Sequence, residues 1–317
     1  MIRSDVSQAM LKWKNRSCTI ALTFSHMRWA FIKLHIAVLL AGFTAILGKL
    51  ISLPEASLVW WRLLLAVLAL LPLAGWWQRR SGYVVSAKSR LQLLGIGALV
   101  GLHWLCFFGS VKYGNVSIAL VTFSAAGFFS ALLEPVLRRT RIRLIELLLG
   151  ALCVAGIYII FHFDSRYKLG IALGVLSAAL SALFSGLNKQ MVTTGTSGLA
   201  MTLWEMIGAL AVLSVLMPVY VWYRGDGWWP VGYDWWWLLL LSLLCTVWAF
   251  FLQLQALQYI SAVTLNLTYN LEPVYGILLA FVFFQENKQL TSSFFIGLAI
   301  IGLSVAVQTW RVYRGYR

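Results

Sequence analysis

Ten apolar stretches follow one another along this 317-residue chain, each about 20 residues long. An α-helix needs that length to cross the roughly 30 Å hydrocarbon core of a bilayer. The stretches lie near 31–51, 56–77, 91–111, 115–137, 143–161, 168–190, 198–223, 234–256, 261–284 and 292–310. None alternates with the period of two that a β-barrel strand requires. Hydrophobic residues make up 61% of the chain and charged residues 11%, with a mean hydropathy of +0.83. A soluble domain is nearer 45–50% apolar and about 25% charged. A chain this apolar cannot cover a surface that faces water, so it needs lipid as its solvent. The expected fold is an all-α integral membrane protein with ten transmembrane helices.

A net charge of +15 invites a nucleic-acid reading, but the distribution of the charge opposes it. The cations sit in short clusters between apolar runs, where they set topology and meet anionic lipid headgroups. No nucleic-acid partner is expected. With the N-terminus inside, Lys49, Lys112, Arg166, Lys168, Arg224 and Lys288 fall outside and Arg62 falls within a span. Every other Lys and Arg falls inside. The positive-inside rule then places both termini in the cytoplasm, which requires an even number of spans. The expected location is the inner (cytoplasmic) membrane. Residues 1–30 read as a basic cytoplasmic segment without a signal-peptide cleavage site, and residues 311–317 as a basic cytoplasmic tail. Met27 is a candidate alternative start, because the hydropathic pattern begins just after it.

Other composition signals are plain. Cys18, Cys106, Cys153 and Cys245 have no paired spacing, so neither a disulfide framework nor a zinc site is indicated. Trp222, Trp228, Trp229, Trp235, Trp236 and Trp237 surround the expected outer loop between spans seven and eight. Amphipathic rings favour the headgroup level, so these read as interfacial anchors.

The two halves of the chain resemble each other. Tyr113 opens a run reaching Val121-Thr122-Phe123, and Tyr259 opens a run of the same spacing reaching Leu267-Thr268-Tyr269. Leu149-Gly150 with Gly156 matches Ile296-Gly297 with Gly302. Leu47-Gly48-Lys49 matches Leu187-Asn188-Lys189, and Trp61-Arg62 matches Trp204-Glu205. Five spans is an odd number, so two such halves enter the membrane in opposite orientations. Inverted repeats of this kind characterise many secondary transporters, with the site near the midplane between the halves. The first repeat is expected over 31–161 and the second over 168–310.

These residues carry a family resemblance. The chain resembles the EamA-type ten-span members of the drug/metabolite transporter superfamily. The resemblance rests on Val59-Trp60-Trp61-Arg62-Leu63, on Leu271-Glu272-Pro273-Val274, on Phe284-Gln285-Glu286, and on Gly297 and Gly302. The first half departs from the pattern: Gly127 stands where the second half has Pro273, and Arg138-Arg139-Thr140 replaces the Gln285-Glu286 turn. Glu134-Pro135 lies about two turns too late for Glu134 to inherit the role of Glu272. The resemblance implies transport of small metabolites, often amino acids or related compounds. It also implies a central cavity formed by spans one, three, four, six, eight and nine.

A charge at the bilayer centre costs about 2.5–3.5 kcal/mol on insertion scales, so polar residues inside spans are candidates for function. Glu272 precedes Pro273, which deprives the Tyr269 carbonyl of its usual donor and favours a kink. Glu272 is a candidate to bind a cationic group or carry a coupling proton, or to pair with a buried base. Arg62 and Glu205 occupy matching places with opposite charge, and an ion pair between them is the simpler expectation. Lys49 and Lys189 also correspond and are candidates to attract an anion at a gate, or to snorkel to the interface. His103, Trp104, Asn188, Asn266 and Asn270 lie inside spans, where interhelical hydrogen bonding is their ordinary role. Tyr113, Phe123 and Tyr269 are candidates to line a cavity or simply to pack. Gly97-x-x-x-Gly101 and Gly170-x-x-x-Gly174 allow close helix approach.

The substrate-binding candidates are therefore Glu272, Arg62, Glu205, Lys49, His103, Trp104, Asn188 and Tyr269. Opposed charges suit a zwitterion such as an amino acid. No catalytic, nucleotide-binding or metal motif is present, so neither a cofactor nor an enzymatic activity is expected. The expected partners are a small-molecule cargo and membrane lipids, with a homodimer left open. The alternatives are a lipid flippase, a non-transporting scaffold, or a lipid-directed enzyme using His162 and Asp164.

Overall fold

The structure, a computed structural model, describes residues 27–141, 143–163, 167–225, 227–269, 271–288 and 290–314. Cys18, Asp164 and Asn270, named above, lie outside them, as do the side chains of His162 and Asn266.

Helices account for nearly all the described chain. The first half holds α1 (Met27–Leu50), α2 (Glu55–Ser81), α3 (Ala87–Tyr113), α4 (Val116–Phe123), α5 (Ala126–Arg138) and α6 (Leu144–Phe163). The second holds α7 (Lys168–Thr193), α8 (Gly198–Arg224), α9 (Asp234–Ser242), α10 (Ala249–Leu257), α11 (Ala262–Tyr269), α12 (Glu272–Phe284) and α13 (Ser292–Tyr313). A π-helical segment, Leu243–Trp248, joins α9 to α10.

Local signals set the ends. Ser86 accepts a hydrogen bond from the Ser89 amide to start α3, and Asn115 accepts one from Ile118 at 2.7 Å to start α4. Gly82 and Gly225 end α2 and α8 in the left-handed region, at φ 66° and 64°, where a glycine carries no Cβ penalty.

Among the described residues, seven helices are long and apolar enough to cross a membrane, one of them the composite of α4 and α5. Shorter apolar helices cover Leu144–Ile160, Glu272–Phe284 and Ser292–Ser304. The protein is therefore a multi-span membrane protein. Large apolar side chains such as Leu68, Leu71, Val215, Val219, Leu278 and Val282 are exposed, as a surface solvated by lipid requires.

Two expected spans are not continuous helices. The stretch 115–137 is divided into α4 and α5, and 261–284 into α11 and α12. In the second pair Pro273 stands in the first turn of α12. Proline is tolerated there because that amide has no partner inside the helix. The expected kink at Pro273 is thus a break that begins just before it.

Lipid supplies no hydrophobic force between helices, so close backbone approach does the work. α3 packs along both α7 and α8. Gly97 and Gly101 lie against the backbones of Glu205 and Ala209, where a Cβ at Gly97 would collide with Glu205. Gly170 and Gly174 lie against Gly114 and Thr122. Both Gly-x-x-x-Gly pairs are therefore crossing points. At the periphery α6 packs on α13, with Gly156 and Gly297 touching.

The tryptophan cluster divides in two. Trp222 and Trp236 are 85% and 67% exposed, as interfacial anchors would be. Trp228, Trp229 and Trp235 instead gather on the buried Trp61, with ring centroids 5.7, 5.0 and 5.2 Å away. The Trp61 indole donates to the Trp228 carbonyl at 2.8 Å. Half of this aromatic cluster is thus a packed cap over α2, next to Arg62.

Candidate functional site

A cavity of about 70 Å³ lies among the helices. That is room for about five or six water-sized atoms. Its walls come from α1 (Ala41, Thr44), α2 (Arg62), α3 (His103, Trp104, Phe107), α4 (Phe123) and α7 (Ser181, Phe184). Cys245, Ala249, Phe250 and Gln253 line it from the π segment and α10, and Tyr269 and Glu272 from the ends of α11 and α12. These are the six spans named by the family resemblance, joined by the second through Arg62.

Arg62 sits eight residues into α2 and is buried, 1% exposed. Its guanidinium stacks 3.9 Å from the Trp104 ring centroid, a geometry that stabilises a cation away from water. Nε donates to the Thr246 hydroxyl and Nη2 to the Cys245 carbonyl at 3.2 Å. Both acceptors belong to the π segment, whose altered winding is a frequent feature of functional sites. Nη1 is buried, with no partner among the described residues.

Glu272 begins α12 and is 4% exposed. Among the described residues no hydrogen bond or ion pair holds its carboxylate. It lies near enough to Arg62 for the two charges to interact, without forming an ion pair. One cavity therefore carries a guanidinium with an unused donor and a carboxylate with unused acceptors.

Neutral groups complete the lining. His103 Nδ1 lies 2.9 Å from the Ser177 carbonyl. The Ser177 hydroxyl lies 2.9 Å from the same nitrogen. The Tyr269 hydroxyl donates to Gln253 Oε1 at 2.8 Å, tying α11 to α10. The rings of Phe107, Phe123, Phe184 and Phe250 supply apolar wall.

Of the eight residues singled out from sequence, Arg62, Glu272, His103, Trp104 and Tyr269 line this cavity. Glu205, Asn188 and Lys49 lie elsewhere. Glu205 is fully buried where α8 crosses α3, accepting from the Asn188 amide at 3.0 Å. It does not pair with Arg62; among the described residues Glu205 Oε1 and Asn188 Oδ1 both lack partners. Lys49 pairs with Glu286 at 2.6 Å, and Lys189 donates to the Leu257 and Ile260 carbonyls at 2.7 and 2.6 Å. Neither lysine snorkels as a lone charge. Glu134 pairs with Arg138 at 3.1 Å. Tyr113 lines a second cavity of about 500 Å³ with Glu55, Lys112 and Trp229.

Sequence reasoning passed over Thr44, Thr246, Cys245 and Gln253. Thr246 and Gln253 carried a usable signal, as hydrogen-bonding groups inside an otherwise apolar run. Thr44 carried the same signal, and Cys245 carried none.

Fold and site together define a class: a multi-span helical membrane protein that encloses a small charged cavity between its two halves. The EamA-like transporter family matches residues 28–162 and again 168–308. The chain belongs to that family, and hence to the membrane transporters of the drug/metabolite type. A solved structure described only as "Crystal structure of protein" is similar to it at 19% identity, with a TM-score of 0.64. The similarity covers 90% of this chain and 98% of that one. No curated protein matches the chain.

Proposed function

We propose that this protein is a ten-span secondary transporter of the cytoplasmic membrane, with both termini in the cytoplasm, that exports small zwitterionic metabolites of the amino-acid kind. Two five-helix halves inserted in opposite senses rock about the central cavity and open it to one side at a time. The observation that carries this reading is that Arg62 and Glu272 line one cavity, and that among the described residues Arg62 Nη1 and the Glu272 carboxylate have no hydrogen-bond or ion-pair partner. A buried charge left short of partners is costly, so the site is suited to cargo that supplies them. A carboxylate beside Arg62 Nη1 and an ammonium beside Glu272 would do so together. The rings of Trp104 and the phenylalanines would then enclose the carbon skeleton.

The test is transport in proteoliposomes with a panel of amino acids, with and without a proton gradient. Native protein should transport at least one neutral amino acid. Arg62→Gln and Glu272→Gln, shown to be folded, should each lose that transport. Native rates in both variants would refute the assignment.

A further inference from the structure

Glu286 follows α12 in a turn, where an acid would ordinarily meet water, yet it is fully buried. Its carboxylate accepts from Lys49 Nζ at 2.6 Å, the Ser117 hydroxyl at 2.7 Å, and the amides of Ser117 and Val116 at 3.0 and 3.3 Å. Lys49 stands at the end of α1, and Val116 and Ser117 open α4. One carboxylate from the second half thus clasps two helix ends of the first. The amides it uses have no partner within α4, and the positive end of a helix favours an anion.

The repeat exposes an asymmetry. α4–α5 and α11–α12 have equal lengths, 8 and 13 residues. Aligning them sets Thr140 against Glu286, and the matching span ends set Lys189 against Lys49. Lys189 is bonded to backbone carbonyls, and threonine brings no charge. The two faces of the transporter therefore share a lysine but not its bonded acid: at the Lys189 face the nearby Glu134 is paired with Arg138.

We propose that Glu286, Lys49 and Ser117 form a latch that holds one face of the transporter closed, and that Thr140 leaves the opposite face without one. This rests on the alternating-access reading above. Opening the cavity at the Lys49 face separates the turn after α12 from α1 and α4, which breaks every bond to Glu286. The opposite face opens without an equivalent loss. The resting population is therefore biased toward the state closed at the Lys49 face, the outer one in the proposed topology. Glu286 and Lys49 are positioning residues, since neither lines the cavity.

Cys245 lines the cavity and serves as the reporter. In protein carrying Cys18→Ser, Cys106→Ser and Cys153→Ser, a membrane-impermeant maleimide is applied to each face of oriented vesicles. Cys245 should label faster from the face opposite Lys49. Glu286→Gln should raise labelling from the Lys49 face by about tenfold, the lower end for losing a hydrogen bond to a charged group. Lys49→Gln should do the same, and the double variant should add little, because both remove one interaction. Thr140→Glu should slow labelling from the opposite face. Ser117→Ala, with a smaller rise, replaces Glu286→Gln if that variant does not fold. Unchanged labelling from the Lys49 face overturns the latch, and so does an equal rise from both faces, which marks a loosened fold. Labelling needs no cargo, so failure of the amino-acid reading would show as absent uptake with these results intact.

Discussion

The helix pairs α4–α5 and α11–α12 share a backbone and differ in chemistry. Each opens on a side-chain cap, Asn115 to the Ile118 amide and Ser261 to the Thr264 amide. In each, a threonine donates to the carbonyl four residues back, Thr122 to Ile118 and Thr268 to Thr264. Each breaks after 8 residues, resumes for 13, and ends on a left-handed residue other than glycine: Arg139 and Gln285, both at φ 53°. Proline is not what the breaks share, since Gly127 holds the place of Pro273. The backbone break therefore belongs to the repeat. The charges do not: Glu272 corresponds to Ala126, Glu286 to Thr140, and Arg62 to Glu205. Each half gives the cavity one charge that the other half does not duplicate. Under the proposed alternating access, matching backbones would favour two states of similar energy, and unmatched side chains would give those states different cargo contacts and different latches.

The sharpest test of that division is to remove matched residues in pairs. Arg62→Gln and Glu272→Gln should each lower transport by about 100-fold, the upper range for losing hydrogen bonds to a charged group. Initial rates in proteoliposomes measure this. Glu205→Gln should behave differently despite its matching position. Glutamine keeps an acceptor for Asn188 and adds a donor for the partnerless Asn188 Oδ1. Transport within about twofold of native and an undiminished melting temperature are expected, because no charged partner is lost. A collapse of transport in Glu205→Gln would mean that the two charges act as a pair after all.

The left-handed ends give a smaller effect that should be equal in the two halves. An L-residue there costs roughly 1–2 kcal/mol that glycine escapes. Arg139→Gly and Gln285→Gly should each raise the thermal stability of the detergent-solubilised protein, by about 1 kcal/mol. Unequal gains would show that one turn is held by contacts the other lacks.

Much of the fold was legible because lipid demands long apolar runs, and because small-residue spacing marks crossings such as Gly97 on Glu205. The first break, at Ser124–Ala125, carried no helix-breaking residue, whereas Pro273 announced the second. The site was harder to read. In water an apolar stripe marks the buried face of a helix, but here lipid-facing Leu68 and core-facing Leu70 are equally apolar. Sequence therefore named the charged and polar residues without showing which way each pointed. Arg62 and Glu272 turned toward the cavity, while Glu205 and Lys49 did not. Phe284-Gln285-Glu286 was visible only as a motif; that Glu286 clasps Lys49 and the start of α4 depends on a fold joining residues far apart in sequence.

The smallest expected effect bears most directly on the opening comparison. Pro273 stands in the first turn of α12, where its missing amide hydrogen is no loss and its fixed φ suits the helix start. If the break comes from the repeat, Pro273→Ala should leave α11 and α12 separate and cost less than about 1 kcal/mol, chiefly through a looser unfolded chain. Transport should stay within about threefold of native, since a change that small corresponds to less than a factor of ten. A coupling across the hydrogen bond from the Leu271 amide to the Thr268 carbonyl, the turn bond of the native protein, should persist. Its replacement by a coupling to the Leu267 carbonyl, as in a continuous helix, together with lost transport, would assign the break between α11 and α12 to proline. The matching break beside Gly127 would then need a separate cause, and the equivalence of the two spans would be a coincidence of length.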